Sequence, residues 1–233
     1  MSELCAATGY GKSRVSKVLG EFRSAGFLRQ DSGSREYGAG LRAVALSANY
    51  LNSDPLAHEA IGPMRRLAHA TGHTAVLGVR EGDEVIYLLG VEGPHFLDVR
   101  PRVGAWLPIH ATAVGKVVAA FPQGDGPIRL PEGDLPRYTK NTVTDRRELL
   151  AQLAKVRRQG FAVTNGETAD GLAAQAVPVF GPSGSVIGAL GFVYPIHVVT
   201  PKMRRSYTHM LHSAARQISS RLGARVYPFG RSR

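Results

Sequence analysis

Between Gly11 and Ala25 the chain reads GKSRVSKVLGEFRSA, and this stretch constrains the fold more than any other. Val15, Val18, Leu19 and Phe22 fall at i, i+3, i+4 and i+7, the apolar stripe of an amphipathic helix. The other face carries Lys12, Ser13, Arg14, Ser16 and Lys17 within its first two turns. Cations are unfavourable at the positive end of a helix macrodipole. Their placement suits an end that meets a polyanion, whose phosphates the free N–H groups also attract. Ahead of it, Leu4, Ala6 and Ala7 lie on a short helical turn that Thr8-Gly9-Tyr10 interrupts. Short helix, glycine turn and basic-fronted helix form the pattern of a helix-turn-helix, whose second helix enters the DNA major groove. A surface helix with a solvated basic face would read the same way from these residues alone. Gly11-Lys12-Ser13 also has the look of a phosphate-binding loop, but Ala6 stands where that loop needs glycine. The strand that such a loop follows is not read in this stretch either, so a nucleotide site is not expected.

After the basic helix, Gly26 ends the turn and Phe27-Leu28 begins a short strand. Asp31-Ser32-Gly33-Ser34 is a turn, and Arg35-Glu36-Tyr37 returns as a second strand. A hairpin in this place is the wing of a winged helix, with Arg35 at a tip suited to phosphate or minor-groove contact. Leu41, Val44 and Ala45 give one more short helix, which Asn52-Ser53-Asp54-Pro55 breaks. Asp54 can cap the next helix and Pro55 can occupy its first turn. Four segments follow from this reading: a winged head over 1–39, a linker helix over 40–53, a body over 54–223 and a basic tail over 224–233.

The body reads as α+β, runs of antiparallel strands flanked by helices. Leu56, Ala60, Met64 and Leu67 make one helical stripe, with Pro63 inside it. Strands are predicted over 74–79, 84–91, 96–99, 161–164, 173–180 and 186–194. His110 to Lys116 opens a helix, and Asp145 caps another with Leu149, Leu150, Leu153 and Val156 inward and Gly160 at its end. Pro201 opens a last helix, and residues 227–233 are expected to be disordered.

The net charge of +11 is unevenly shared. Residues 1–52 carry +3, residues 53–195 are neutral and residues 196–233 carry +8 with no acidic side chain. A neutral body between basic ends suits a sensing or catalytic domain with polyanion-binding termini. Cys5 is the only cysteine, which excludes an intrachain disulfide and a cysteine metal cluster. No stretch approaches the roughly 18 to 20 apolar residues of a membrane span, and no signal-peptide core is present. A cytoplasmic protein without membrane partners is expected, with no cofactor.

Along nearly its whole length the chain resembles the IclR-type bacterial transcriptional regulators. The matching stretches are ATGYGKSRVSKVLGEFRSAGFL, then Tyr37, Gly40, Arg42 and Leu46, then RVGAWLPIHATAVGK, TDRRELLAQLAKVRRQGFAV and GLAAQAVPV. The resemblance implies an N-terminal winged helix-turn-helix, a linker helix and a GAF-like effector-binding domain with a central antiparallel sheet. It implies a homodimer, or a dimer of dimers, on palindromic double-stranded DNA, and a small-molecule effector. By the resemblance, about twenty residues with the first helix of the winged domain are expected ahead of this start, so that either the true start lies upstream or part of the DNA-binding core is lacking; Gly11 stands where the family usually has proline.

Carried over by position, the effector would be held by the backbone amides of Ala113 and Val114. Thr164, Ala174, Gly191 and Val193 would surround it, where relatives that bind small oxo-acids place Asp, Cys and two Ser. Phe96 and Val99 would line the other wall. Fewer donors and smaller side chains point to a larger, more apolar acid than pyruvate. An enzyme would have to be built from His110, Glu167 and Asp170, with no nucleophile elbow or metal-ligand spacing. Glu167 is expected to pair with a basic neighbour in its own loop, and His110 to bond the backbone. The readings left are a ligand-responsive DNA-binding regulator and, as alternatives, a sensor or dimerisation module without DNA binding, or an enzyme acting on the bound metabolite.

Overall fold

The computed structural model describes residues 2–94, 103–121 and 128–230, which divide into two compact units, 1–58 and 59–233. In the first unit, α1 (Ser2–Thr8) ends at Gly9, whose φ of 68° places it in the left-handed region. Helix α2 (Lys12–Ser24) follows. Its Val15 and Leu19 are buried as the periodicity requires, but Val18 and Phe22 are 43% and 49% exposed. The predicted stripe is therefore only half covered. Gly26, at φ 74°, ends α2, and the Phe27 amide donates back to the Phe22 carbonyl at 2.9 Å.

Strands β1 (Leu28–Gln30) and β2 (Tyr37–Ala39) then pair antiparallel, Leu28 opposite Ala39 and Gln30 opposite Tyr37. The turn between them is tied by Asp31, whose Oδ1 accepts from the Ser34 amide at 2.8 Å and the Gly33 amide at 2.9 Å. These bonds hold its carboxyl below the usual carboxylate range. Arg35 and Glu36 belong to this turn and not to the second strand, a correction to the sequence reading; Arg35 has φ 58°. Helix α3 (Leu41–Ser53) buries none of its side chains.

Helix α4 (Pro55–Thr71) is capped by Asp54, whose Oδ1 accepts from the Ala57 amide at 2.7 Å, and it runs through Pro63. The second unit is built on a six-stranded antiparallel sheet in the order β5-β4-β3-β8-β7-β6. Its strands are β3 (Thr74–Glu81), β4 (Glu84–Val91), β5 (Trp106–Pro108), β6 (Ala162–Asn165), β7 (Leu172–Phe180) and β8 (Val186–Pro195). The strand predicted over 96–99 lies outside the described residues. Side chains alternate across the sheet. Ala174, Ala176 and Val193 join the cluster formed with α5 (Ala113–Ala120) and α6 (Arg146–Gln159). Gln175 turns to the opposite face, where it donates to the Thr208 hydroxyl of α7 (Pro201–Arg221) at 2.8 Å. In α6, Leu149, Leu153 and Val156 are inside as predicted, but Leu150 is 40% exposed.

The C-terminal segment corrects the expectation of disorder through residue 230. Tyr227 is 6% exposed, and its ring meets Phe180 edge-on at 5.5 Å. Phe229 sits over Gly160, where any Cβ would collide with its ring. The Tyr227 hydroxyl donates to the Pro178 carbonyl at 3.2 Å, so the 2.9 Å contact with His212 Nδ1 assigns that nitrogen as the donor. Burial first, then the charges of Arg216 and His209, push the His212 pKa down to about 4.

The unfolded chain regains an ordinary histidine near 6.5, so it binds more protons than the fold between these two values. Stability is therefore expected to fall as pH drops from about 6.5 towards 4, by on the order of 3 kcal/mol from this group. Thermal unfolding of wild type and His212→Phe across this range checks it. A wild-type decline no steeper than the variant's would refute the assignment.

Candidate effector site and nucleic-acid interface

Helix α5 is apolar except for Lys116, and all eight of its residues are buried. Thr112 caps it: its Oγ1 accepts from the Gly115 amide at 3.0 Å and donates to the Pro108 carbonyl at 2.9 Å. Gly115 is required there, because a Cβ would lie 2.5 Å from Ile109 backbone and from Thr112 Oγ1. The cap serves the third amide of the helix. Those of Ala113 and Val114, the first two, have no intrahelical partner and make no hydrogen bond among the described residues.

The strand register brings three of the predicted effector residues into one row. Thr164 of β6 lies opposite Ala174 of β7, which lies opposite Val193 of β8. Thr164 is buried, while Ala174 and Val193 are half-buried and pack against the cluster holding Ala113 and Val114. Gly191 occupies the next row, between Ala176 and Val76. It opens no space: a Cβ there would lie 2.5 Å from the Gln175 carbonyl oxygen. Its smallness serves strand approach, which corrects the reading of Gly191 as part of an enlarged cavity. Phe96 and Val99 lie outside the described residues.

Next to this face sits a feature absent from the sequence reading. Lys116 Nζ donates to Glu167 Oε2 at 2.6 Å and to Gln152 Oε1 at 2.8 Å, and both charged side chains are nearly inaccessible. Thr142 Oγ1 donates to the Glu167 carbonyl at 2.7 Å, fixing the loop that carries it. Burial holds the Lys116 pKa below its ordinary value and Glu167 above its own, and each partner's charge opposes the shift. Glu167 thus pairs with a cation on a distant helix, not with one in its own loop. A lone lysine in ATAVGKVVAA was the available signal, because a cation in an all-buried helix requires a partner.

His110 Nε2 donates to the Pro136 carbonyl at 2.9 Å, and burial pulls its pKa down. It is a structural residue at the approach to α5, as predicted. Among the described residues no group of His, Cys, Asp and Glu could hold a metal ion, and no helix is long and apolar enough to cross a membrane.

In the first unit, Lys12, Ser13, Arg14, Ser16 and Lys17 are all exposed on α2, with Ser13, Arg14 and Lys17 on the side away from the buried Val15 and Leu19. The first turn carries no acidic residue, and Gly11 supplies no side-chain cap. The helix therefore presents uncapped N–H groups and cations together. Arg35 is exposed on the β1–β2 turn.

A separate basic-fronted helical unit and an antiparallel sheet with a buried helix N-terminus make up a protein of two parts, and comparison with known proteins identifies its kind. Residues 48–220 match the family described as bacterial transcriptional regulator IclR, C-terminal. The chain is 33% identical over 230 residues to the HTH-type transcriptional regulator KdgR of Escherichia coli strain K12, covering 98% of this chain and 88% of that one. The IclR transcriptional regulator from Alicyclobacillus acidocaldarius superposes with a TM-score of 0.82 at 29% identity, covering 95% of this chain and 90% of its own. An IclR homolog from Microbacterium hydrocarbonoxydans, solved with 4-hydroxybenzoate, gives 0.77 at 25% identity over 95% and 90%. The chain belongs to the IclR family of bacterial transcriptional regulators. It is a ligand-responsive regulator of transcription and not an enzyme.

Proposed function

We propose that this regulator binds a palindromic DNA operator through residues 1–39, acting as a winged helix-turn-helix, and releases or rearranges on binding an organic acid larger than pyruvate. In this reading α2 lies in the major groove with Lys12, Arg14 and Lys17 on phosphates or bases, Ser13 and Ser16 beside them and Arg35 at the wing tip. Residues 40–53 act as linker, and 54–223 bind effector and assemble the oligomer, a homodimer or a pair of dimers in the cytoplasm. Helix α3 buries none of its side chains, and Leu41 at 86%, Val44 at 57%, Leu46 at 62% and Tyr50 at 53% exposure leave apolar surface on more than one of its sides, which supports self-association.

The observation that carries the effector reading is the pairing of two unpartnered amides, Ala113 and Val114, with an apolar row at Ala174 and Val193. The amides suit one carboxylate at a helix start. The row offers the rest of the ligand apolar contact and only the Thr164 hydroxyl as a side-chain donor. The relative solved with 4-hydroxybenzoate supports an aromatic acid, and the target is then a metabolic or catabolic operon.

Burying some 100 Å² more apolar surface is worth about 2.5 kcal/mol, more than tenfold in affinity before ordering costs. Titration calorimetry is therefore expected to rank 4-hydroxybenzoate and medium-chain acids at least tenfold above glyoxylate and pyruvate. An operator recovered by selection from random DNA should lose or gain affinity when the tighter class is added. Binding of the two- and three-carbon acids alone would overturn the proposal.

A further inference from the structure

Arg14 does not project freely from α2. Its guanidinium carbon lies 4.0 Å from the centroid of the Tyr10 ring. Tyr10 stands immediately before the N-cap residue Gly11, and Gly9 in the left-handed region turns the chain so that the ring meets the first turn. Tyr10 is 46% exposed, so the ring is placed on the surface and not in a core. Among the described residues Arg14 has no ion pair or hydrogen bond, and the ring is its one recorded partner.

Two physical consequences follow. Gly11 provides no side-chain cap, and glycine leaves the chain before the helix loosely fixed. The Tyr10–Arg14 stack ties the residue before the cap to the first turn and so restricts that freedom. With its carbon 4.0 Å from the ring centroid and no hydrogen bond among the described residues, the guanidinium keeps its N–H donors for acceptors on a ligand. Arg14 is the only arginine on the front of α2, and arginine alone of these cations offers the planar fork that pairs bidentately with guanine O6 and N7. Lys12 and Lys17 are point charges, suited to phosphates.

We infer that Tyr10 is a specificity-determining positioning residue, which holds Arg14 for readout of one guanine in each half-site. This rests on the assignment of α2 as the DNA-contacting helix. Tyr10 acts by lowering the conformational freedom that Arg14 loses on binding, and not by contacting a phosphate, so its removal should cost sequence discrimination and leave salt dependence unchanged.

The test uses the full chain and an operator selected from random duplex DNA, with binding measured by fluorescence anisotropy at several salt concentrations. Wild type is compared with Tyr10→Phe, Tyr10→Ala, Arg14→Ala and the double alanine variant. Tyr10→Phe, which keeps the ring, should bind like wild type. Tyr10→Ala should bind about fivefold more weakly, equivalent to about 1 kcal/mol at 1.4 kcal/mol per tenfold. It should also discriminate less at one base pair per half-site, with the salt slope unchanged. In the Arg14→Ala background, Tyr10→Ala should change nothing further. A Tyr10→Ala protein that binds and discriminates like wild type would overturn the inference, as would a loss that persists without Arg14. If Arg14→Ala itself binds like wild type, the fault lies with the placement of α2 on DNA, which overturns both readings by a separate result.

Discussion

Glu167→Ala is expected to lower the stability of the effector-binding domain by about 3–5 kcal/mol, and Lys116→Met by a comparable amount. Removing both together, as Lys116→Met with Glu167→Leu, should recover much of that loss. The reason is an asymmetry of burial. Lys116 Nζ and Glu167 Oε2 are 2.6 Å apart, with side-chain exposures of 2% and 9%. A charge left there without its partner meets neither water nor a counter-ion, whereas an apolar pair of similar volume removes both desolvation penalties. Gln152 would remain beside an unpaired Lys116, but an amide oxygen 2.8 Å away cannot neutralise an ammonium.

Trp106 is the only tryptophan and lies in the second unit, so its fluorescence reports urea unfolding of that unit. The expected result is a drop in midpoint at constant slope for each single variant and a smaller drop for the double. A double variant whose loss equals the sum of the singles would show that the two charges are not coupled. Because Lys116 belongs to the same helix as the Ala113 and Val114 amides, the single variants should also weaken acid binding.

Where local chemistry decides, the sequence was a sufficient guide. Asp145 caps α6 by accepting from the Glu148 amide at 2.8 Å, and Gly160 ends it in the left-handed region at φ 78°. Leu56, Ala60, Met64 and Leu67 all went inside. Periodicity did less well on how much of a stripe is covered. Val18, Phe22 and Leu150 sit on helices of the right phase yet stay exposed, because burial depends on a packing partner that helical spacing does not encode.

The candidate site divides in the same way. The row Thr164, Ala174 and Val193 came from the family resemblance by position, because alternation along one strand does not say which residue of the next strand lies opposite; the register that joins the three is a property of the fold. The Lys116–Glu167 pair joins residues 51 positions apart, and nothing local to either one names the other. Gly191 and Gly160 show a further limit. Both were legible as glycines with a reason, but whether the missing Cβ made room for a ligand, a strand or the Phe229 ring required the fold. The tail failed for a related cause: two aromatic residues in a short basic segment carry no periodicity, yet Tyr227 meets Phe180 and His212, and Phe229 meets Phe121, Phe180 and His212.

Replacing Lys12, Arg14 and Lys17 together by alanine is expected to lower operator affinity by a few hundredfold at 0.1 M salt. Each phosphate contact contributes a slope of about 0.9 in the logarithm of affinity against that of salt, so three contacts contribute about 2.7. Referred to 1 M salt, where that contribution vanishes, a tenfold lower salt concentration makes it worth between two and three orders of magnitude. The slope itself should fall by about 2.7 if all three side chains meet phosphates, and by less where Arg14 reads a base. All three side chains are exposed, so their loss removes no core contact. Their removal from the positive end of α2 should instead raise the stability of the head slightly, by a few tenths of a kcal/mol per charge. Opposite signs for binding and stability separate a DNA-contacting helix from an ordinary solvated one. A triple variant that keeps wild-type affinity and salt slope would leave the chain as a sensor whose basic helix does not touch DNA. One that binds weakly because its first unit has unfolded would show a loss of helical circular dichroism, which the charge placement on α2 argues against.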